Sequence, residues 1–153
     1  MFDVTGHETP MARFELRLDA DAVNALMAKA FPEADAAALG AVTALSPGRA
    51  TLVRPFATHM LRPGRLVSGP TLMSMADSAA YALILAHIGE QLMAVTSQLT
   101  MNFLRGAKAG DITAEAELLH LGRRSAVCDV RLWTEAPDRL AAQAGVTYAL
   151  PLS

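Results

Sequence analysis

The sequence predicts an α+β fold in which one antiparallel sheet wraps a single long, buried helix. Between Pro70 and His87 the apolar residues cover every side of a helix, which is typical of a helix buried on most of its circumference. Before and after this segment, apolar and polar residues alternate with a period of two, as in strands that bury one face. Two strands, a buried helix and then a strand meander favour one sheet packed on that helix.

Three elements precede the long helix. An N-cap residue followed by good helix formers predicts a short helix, and a Pro-Gly pair between two apolar runs predicts a hairpin. Glycines and prolines then mark a loop that leads into the long helix. The predicted bounds are 19–30 for the short helix, 42–46 and 49–56 for the two strands, and 59–69 for the loop.

Three or four strands joined by short turns are expected after the long helix. Each is predicted from alternating residues, and the apolar set of each strand is expected to face the helix. In chain order these sets are Val95, Leu99, Met101 and Phe103; Ile112, Ala114, Ala116 and Leu118; Ala126, Cys128, Val130 and Leu132; and Leu140, Ala142, Ala144, Val146 and Tyr148.

Length and composition limit the classes of protein to consider. The 153 residues, 52% of them hydrophobic, are enough for one domain, with an N-terminal extension at 1–38 and the core at 39–150. A net charge of −2 gives no basic surface for a nucleic acid. Residues 1–11 do not resemble a secretory signal, and no uninterrupted apolar stretch reaches the ~18 residues expected of a membrane span. One cysteine, Cys128, cannot form an internal disulfide, so we expect a cytoplasmic protein.

The sequence carries no sign of a metal or cofactor site. Its histidines show no metal-ligand spacing, and it contains no glycine-rich phosphate loop or dinucleotide fingerprint. We therefore expect no metal and no cofactor. Together with the charge and the absence of a long apolar stretch, which argue against a nucleic acid and a membrane, this leaves a small molecule and further copies of the chain as the expected partners. The histidines are His7, His59, His87 and His120.

The long helix holds one acidic residue, Asp77, and begins at Gly69-Pro70. A buried carboxylate is costly unless it is paired or takes part in chemistry. Because Pro70 has no N–H group, the amide of Gly69 is the leading donor at the positive end of the helix dipole. The alternatives are that Gly69-Pro70 is only a good helix start, and that Asp77 bonds to Ser78, Tyr81 or a neighbouring strand.

The spacing between Gly69 and Asp77 has a consequence for assembly. Eight residues separate them, which is about 12 Å along a helix with a rise of ~1.5 Å per residue. Within one chain they cannot act on the same carbonyl group. Two such helices that run antiparallel across a two-fold axis would bring Asp77 of one chain to Gly69 of the other, forming two equivalent sites. The spacing therefore predicts at least a dimer.

Three segments between about Leu39 and Leu150 stand at a specific spacing. They are Ser68-Gly69-Pro70 followed by six residues and Asp77, the strand 95–105, and 110–115 followed by Gly122-Arg123-Arg124. Together with the order of elements, they resemble the hotdog fold, and more narrowly the phenylacetate-degradation-type (PaaI-like) acyl-CoA thioesterases. Members of that family usually have His-Gly-Gly at the positions of 68–70 and Pro at the position of 106. This chain has Ser68-Gly69-Pro70 and Gly106 there, so it lacks the usual histidine.

The resemblance implies hydrolysis of an acyl-CoA thioester to a free acid and CoA, in a homodimer or a homotetramer built as a dimer of dimers. Gly69 would polarise the thioester carbonyl group, and Asp77 of the partner chain would act as general base or as nucleophile. The alternative is a non-catalytic acyl-CoA-binding or regulatory hotdog protein, which the missing histidine favours. A hydratase is less favoured, because its chemistry usually relies on that histidine.

Six further residues are candidates for substrate binding. Arginines suit carboxylate or phosphate groups, and by resemblance the arginines in the turns would meet the CoA phosphates. Ser68 replaces the histidine with a hydroxyl that donates one hydrogen bond but carries no charge, and a simple capping role is equally expected. Tyr81, one turn after Asp77, would line the acyl pocket or orient the acid, with core packing as the equal alternative. The candidates are Arg62, Ser68, Tyr81, Arg105, Arg123 and Arg124.

Overall fold

A computed structural model of the chain describes residues 14–152, so the expectation for residues 1–11 lies outside the described part. It confirms an α+β hotdog fold, in which a six-stranded antiparallel sheet packs on one long central helix. The sheet order is β1-β2-β6-β7-β8-β5. The elements are α1 (Ala20–Ala30), α2 (Ala36–Leu39), β1 (Ala41–Ser46), β2 (Arg49–Arg54), β3 (Leu61–Arg62), β4 (Leu66–Val67), α3 (Gly69–Ile88), β5 (Val95–Phe103), β6 (Ile112–Leu121), β7 (Ser125–Trp133) and β8 (Ala142–Ala149).

The predicted elements before the long helix are confirmed, with one correction. Asp19 caps α1 by accepting a 2.8 Å hydrogen bond from the Ala22 N–H, and β1 and β2 form the expected hairpin. The segment 59–69 is more ordered than the predicted loop, because a 3₁₀ turn at Thr58–Met60 precedes the short hairpin of β3 and β4. This hairpin holds the chain in place immediately before α3.

The inward faces of β6, β7 and β8 are the ones that the alternation predicts. Their apolar residues, from Ile112 to Val146, are fully buried, and Tyr148 is 3% exposed. Leu140 is the exception, because it precedes β8 and is only half-buried. These three strands form the centre of the sheet, where α3 covers one of their faces.

Helix α3 begins and ends within one residue of its predicted bounds, and Gly89 with φ 81° ends it by donating its N–H to the Leu85 carbonyl at 2.9 Å. Its C-terminal half is buried on all sides, as expected. Its N-terminal half is not, because Met73 is 41% exposed, Ser74 is exposed and Asp77 is half-exposed. The prediction of burial on every side is therefore wrong for the N-terminal half of the helix.

The predicted buried face of β5 is also wrong in part. Val95 is 54% exposed and Phe103 is 53% exposed, whereas Leu99 and Met101 are half-buried. Strand β5 is an edge strand beside the exposed start of α3, so its own chain leaves much of both faces uncovered. An apolar edge of this length is a surface on which another chain can pair.

Helix α3 is long and apolar enough to cross a membrane by length and composition alone, with a mean hydropathy of 1.3. However, 67% of that stretch is buried inside the protein, as in the core helix of a globular domain. Composition and length alone therefore do not distinguish α3 from a membrane span. Burial is the property that assigns α3 to the core.

Candidate active site

The start of α3 presents one free backbone donor. Ser68 is the N-cap residue, and its Oγ accepts a 3.3 Å hydrogen bond from the Thr71 N–H and lies 2.7 Å from Thr71 Oγ1. The Ser68 N–H donates to the Met60 carbonyl at 2.9 Å, which ties the cap to the preceding turn. Within residues 14–152, the N–H group of Gly69 has no acceptor. The positive end of the helix dipole therefore carries an unused donor at Gly69.

A groove of about 390 Å³ lies beside this donor. Its walls are mainly apolar, and two arginines, Arg62 and Arg105, are the charged residues that line it. Both are exposed. The structure thus brings three of the predicted site residues, Gly69, Arg62 and Arg105, to one groove. Its other lining residues are Leu66, Val67, Leu72, Phe103, Leu104, Gly106 and Ala107.

Asp77 is held by two hydroxyl groups from neighbouring strands. Its Oδ1 accepts hydrogen bonds from Thr96 Oγ1 at 2.6 Å and from the Tyr148 hydroxyl at 2.7 Å. Thr96 and Tyr148 face each other in the β5–β8 register, so one cross-strand pair supplies both donors. In the described part of the chain, Oδ2 has no hydrogen-bond donor. The carboxylate is therefore fixed through one oxygen, and the other oxygen is available to a water molecule or a substrate.

Tyr148 and Tyr81 form a buried aromatic pair behind Asp77. Their rings stack with centroids 5.6 Å apart, and the Tyr81 hydroxyl donates to the Leu92 carbonyl at 2.8 Å. Burial raises the pKa of both phenols, and the charge of Asp77 further raises the pKa of Tyr148. Tyr148 therefore keeps its proton and donates to Asp77. Tyr81 contacts Tyr148 and lies in the core, and its predicted substrate contact stays a prediction.

Arg123 and Arg124 lie in a different part of the molecule. They are exposed, and they line a hollow of about 610 Å³ that also contains Ile88, the last residue of α3. Nineteen residues separate Ile88 from Gly69, which is about 28 Å along the helix. This hollow is larger than the groove at Gly69, but it contains neither Gly69 nor Asp77. Within one chain, these arginines are therefore not neighbours of the candidate catalytic groups.

Sequence reasoning missed three residues of the site, namely Thr96, Tyr148 and Phe103. Tyr148 carried a usable signal, because a phenol at an inward strand position must place its hydroxyl against an acceptor. Thr96 and Phe103 carried none, since their positions beside Asp77 and Gly69 depend on how β5 pairs with β8. Among residues 14–152, no three His, Cys, Asp or Glu side chains lie close enough to hold a metal ion.

Comparison with known proteins gives one family and many related structures. The model of the thioesterase superfamily matches residues 64–141, which include all of α3 and the strands β5, β6 and β7. No curated protein matches the sequence. The family match covers Gly69, Asp77, Thr96 and Phe103.

Several solved structures share the fold over most of the chain. A thioesterase candidate from Silicibacter sp. TM1040 is 35% identical, with a TM-score of 0.80, over 90% of this chain and 95% of its own. A phenylacetic acid degradation-related protein from Ralstonia eutropha JMP134 is 25% identical, with a TM-score of 0.70, over 82% and 98%. The PaaI protein of the E. coli phenylacetic acid degradation operon is 25% identical, with a TM-score of 0.68, over 87% and 96%.

Proposed function

The chain belongs to the thioesterase superfamily, and on that premise we propose that it hydrolyses an acyl-CoA thioester to a free acid and CoA. We further propose that two copies of the chain form each active site together, in a homodimer that pairs into a homotetramer. A cytoplasmic location is part of the same proposal. The observation that carries it is the pairing of an unused donor at Gly69 with an oriented acid at Asp77, too far apart to serve one carbonyl group within one chain.

The amide of Gly69 would bind the thioester carbonyl oxygen. Its N–H group has no acceptor among the described residues and lies at the positive end of α3. As water attacks, negative charge develops on that oxygen, and a donor fixed in advance stabilises the charge without reorganising. The walls of the adjacent groove are mainly apolar, and an acyl group that fills the groove would displace water and so strengthen the interaction.

Asp77 of the partner chain would supply the second group. Because Thr96 and Tyr148 hold Oδ1, its Oδ2 either takes the proton of an attacking water or attacks the carbonyl carbon itself. In the first route, the carbon–sulfur bond breaks as the tetrahedral intermediate collapses, and the proton held by Asp77 passes to the CoA thiolate. In the second route, the carbon–sulfur bond breaks as CoA thiolate leaves and an acyl-aspartate anhydride forms. Water then hydrolyses this anhydride to the free acid and the Asp77 carboxylate, and the released proton goes to the thiolate.

Exposed apolar surface supports the two-chain site. Met73 on α3 and Val95 and Phe103 on β5 are each between 41% and 54% exposed. Met73 lies between Gly69 and Asp77 in the chain, Phe103 lies beside Gly69, and Val95 precedes Thr96, which bonds to Asp77. Free β5 edges of two copies that pair across a two-fold axis would cover this surface at Met73 and Val95 and leave the Phe103 ring facing the groove. The two α3 helices would then run antiparallel. The proposed dimer contact and the proposed site therefore use the same part of the fold.

The four candidate arginines lie in two separate places on the protein and would bind different parts of the substrate. Arg62 and Arg105 line the groove beside Gly69, where they would meet a polar group near the thioester. Arg123 and Arg124 line the hollow at the other end of α3, and they would bind CoA phosphates only if the assembly brings that end to another chain's groove. Ser68 keeps its capping bonds, so its hydroxyl can give at most a shared hydrogen bond to substrate.

A thiol-release assay tests the activity over short, long and aryl-acetyl CoA thioesters. We expect the wild-type chain to release CoA, and Asp77→Asn to lower kcat on the order of 10³-fold while the fold is retained. Ser74→Ala, on the same exposed helix face, is the matched control and should keep the wild-type rate. A wild-type chain that binds acyl-CoA but releases no thiol would establish the non-catalytic alternative instead.

A further inference from the structure

Phe103 stands directly beside the proposed carbonyl donor. A Cβ atom built on Gly69 would lie 3.4 Å from Phe103 Cζ and 3.6 Å from Cε1, so the edge of the ring faces the start of α3. The ring lines the same groove as Gly69, and 53% of the residue is exposed. No other aromatic ring of the described residues stacks on it. Its free surface is therefore available to a ligand in the groove.

The backbone fixes where this ring sits. Phe103 is the last residue of β5 and pairs with Ala142 of β8. The next residue, Leu104, donates its N–H to the Ala141 carbonyl at 2.8 Å, so the strand end remains attached to the sheet. A side chain anchored in this way forms a defined wall, and a small change in its size changes the width of the space above Gly69.

Resting on the proposed function, we propose that Phe103 is the residue that limits the width of the acyl group at the carbon next to the thioester carbonyl. A carbonyl oxygen bound to the Gly69 N–H places the carbonyl carbon, and the carbon attached to it, within reach of the ring edge. A linear acyl chain passes along the ring. A methyl branch at that carbon would overlap with the ring, so Phe103 selects linear over branched acyl groups.

Substitutions at two positions change the space between Gly69 and the Phe103 ring in opposite directions. Phe103→Ala or Phe103→Leu widens this space. Gly69→Ala narrows it while keeping the N–H donor, since the added methyl makes only ordinary van der Waals contact with the Phe103 ring and the backbone of Gly69 is not in the left-handed region. The two changes should therefore shift selectivity in opposite directions, and the double variant should return toward the wild-type preference.

The experiment compares kcat/KM for the linear acyl-CoA that the wild type hydrolyses fastest and for its isomer branched next to the carbonyl. Phe103→Ala should raise the branched-to-linear ratio on the order of tenfold, Phe103→Leu less, and Gly69→Ala should lower it. Val95→Ala is the matched control, because Val95 is an equally exposed apolar residue of β5 that does not line the groove. It should leave the ratio unchanged.

The outcomes separate this inference from the proposed function. A wild-type chain that hydrolyses no thioester overturns the proposed function and this inference with it. An active wild type whose ratio is the same in Phe103→Ala, Phe103→Leu and Gly69→Ala overturns the inference alone. A ratio that changes equally in Val95→Ala also overturns it, because the effect would then come from the strand edge and not from the ring. Solution mass, measured for every variant, shows whether assembly is retained.

Discussion

The hydroxyl group of Tyr148 donates a 2.7 Å hydrogen bond to Oδ1 of Asp77, from a ring that is almost completely buried. Thr96, its partner in the β5–β8 register, donates to the same oxygen at 2.6 Å. The carboxylate is therefore oriented by the sheet and not by its own helix. This arrangement separates two roles: Oδ1 holds the side chain in place, and Oδ2 remains for chemistry.

Replacing Tyr148 with Phe should lower kcat about tenfold or more with little change in KM. The change removes the donor to Asp77 and keeps the buried ring, so the carboxylate loses its orientation while the packing remains. Unfolding should become easier by only about 1 kcal/mol, as for one lost hydrogen bond. Steady-state kinetics and thermal denaturation of the same preparation measure both effects.

Tyr81→Phe is the matched control for that experiment. It also removes one buried phenol hydroxyl, but this hydroxyl bonds to the Leu92 carbonyl and not to Asp77. Its cost in stability should be similar, and its kcat should stay close to that of the wild type. Equal losses of kcat in Tyr148→Phe and Tyr81→Phe would show that Tyr148 acts only through stability.

Mixing two inactive variants should restore activity if each site is shared between chains. Asp77→Asn removes the acid. Gly69→Pro removes the N–H donor at a helix position where proline is accepted, after a Ser68 whose φ of −67° and ψ of 151° suit a residue before proline. A heterodimer of the two has one intact site and one doubly altered site, so random exchange restores about a quarter of the wild-type sites.

The controls make the mixing experiment specific. Gly69→Ala keeps the N–H group and should retain activity toward a linear substrate, which separates the donor from the side chain. Each variant alone, carried through the same exchange, should stay inactive. If the mixture is as inactive as its parents although heterodimers are present by mass, Gly69 and Asp77 do not act together across an interface.

The sequence predicts the centre of this fold better than its edge, for a physical reason. In β6 and β7, the alternation of apolar and polar residues identifies a face that the same chain buries against α3. Residues such as Ala114 and Val130 on that face are fully buried. The same alternation in β5 includes Val95 and Phe103, which their own chain leaves half-exposed. A period of two shows that a face is apolar, but not whether the same chain or another one covers it.

A similar division applies to the candidate site. Gly69 and Asp77 are visible in the sequence because each departs from its local pattern, as a glycine at a helix start and as a lone acid on an apolar helix. Thr96 and Tyr148 have ordinary strand positions, and only the β5–β8 register brings them to the carboxylate. Contacts of this kind depend on long-range pairing, which no local pattern encodes.

Arg54 is a charged residue whose removal should stabilise the protein. It is the last residue of β2 and only 7% exposed, and its guanidinium makes no hydrogen bond or ion pair with the residues that the structure describes. No described side-chain nitrogen is both fully buried and unpartnered, so each guanidinium nitrogen of Arg54 keeps a small contact with solvent. Because an unpaired charge is costly to bury, Arg54→Met should raise the free energy of unfolding by about 1 kcal/mol.

Chemical denaturation measures this effect, and Arg49→Met on the same strand is the control. The side chain of Arg49 is 48% exposed and pairs with Glu115 at 3.3 Å and Glu117 at 3.5 Å. Surface pairs contribute between ~0 and 1 kcal/mol, so the control should be neutral or slightly destabilising. A lower stability for Arg54→Met would mean that Arg54 has a counter-ion in solution, which would contradict the argument.

His87 connects the end of α3 to the first hairpin in its neutral form. It is 3% exposed; its Nδ1 lies 2.9 Å from the Leu83 carbonyl, so this nitrogen carries the proton, and its Nε2 accepts the Gly48 N–H at 3.0 Å. Protonation of Nε2 would place its new N–H against the Gly48 N–H, and the hydrogen bond between them would be lost. Burial lowers the pKa of His87 below its ordinary 6.5, and the bond to Leu83 opposes this only in part.

The protein should therefore lose stability as the pH falls below about 6.5. Between the lowered pKa of the folded state and the ordinary pKa of the unfolded chain, the unfolded chain binds more protons, so stability rises with pH across that window and is fully present above it. The slope is at most about 1.4 kcal/mol per pH unit for one group. Thermal denaturation from pH 5 to 7 measures it. His87→Gln, which does not titrate, should flatten the slope. An unaltered slope in His87→Gln would assign the pH dependence to other groups.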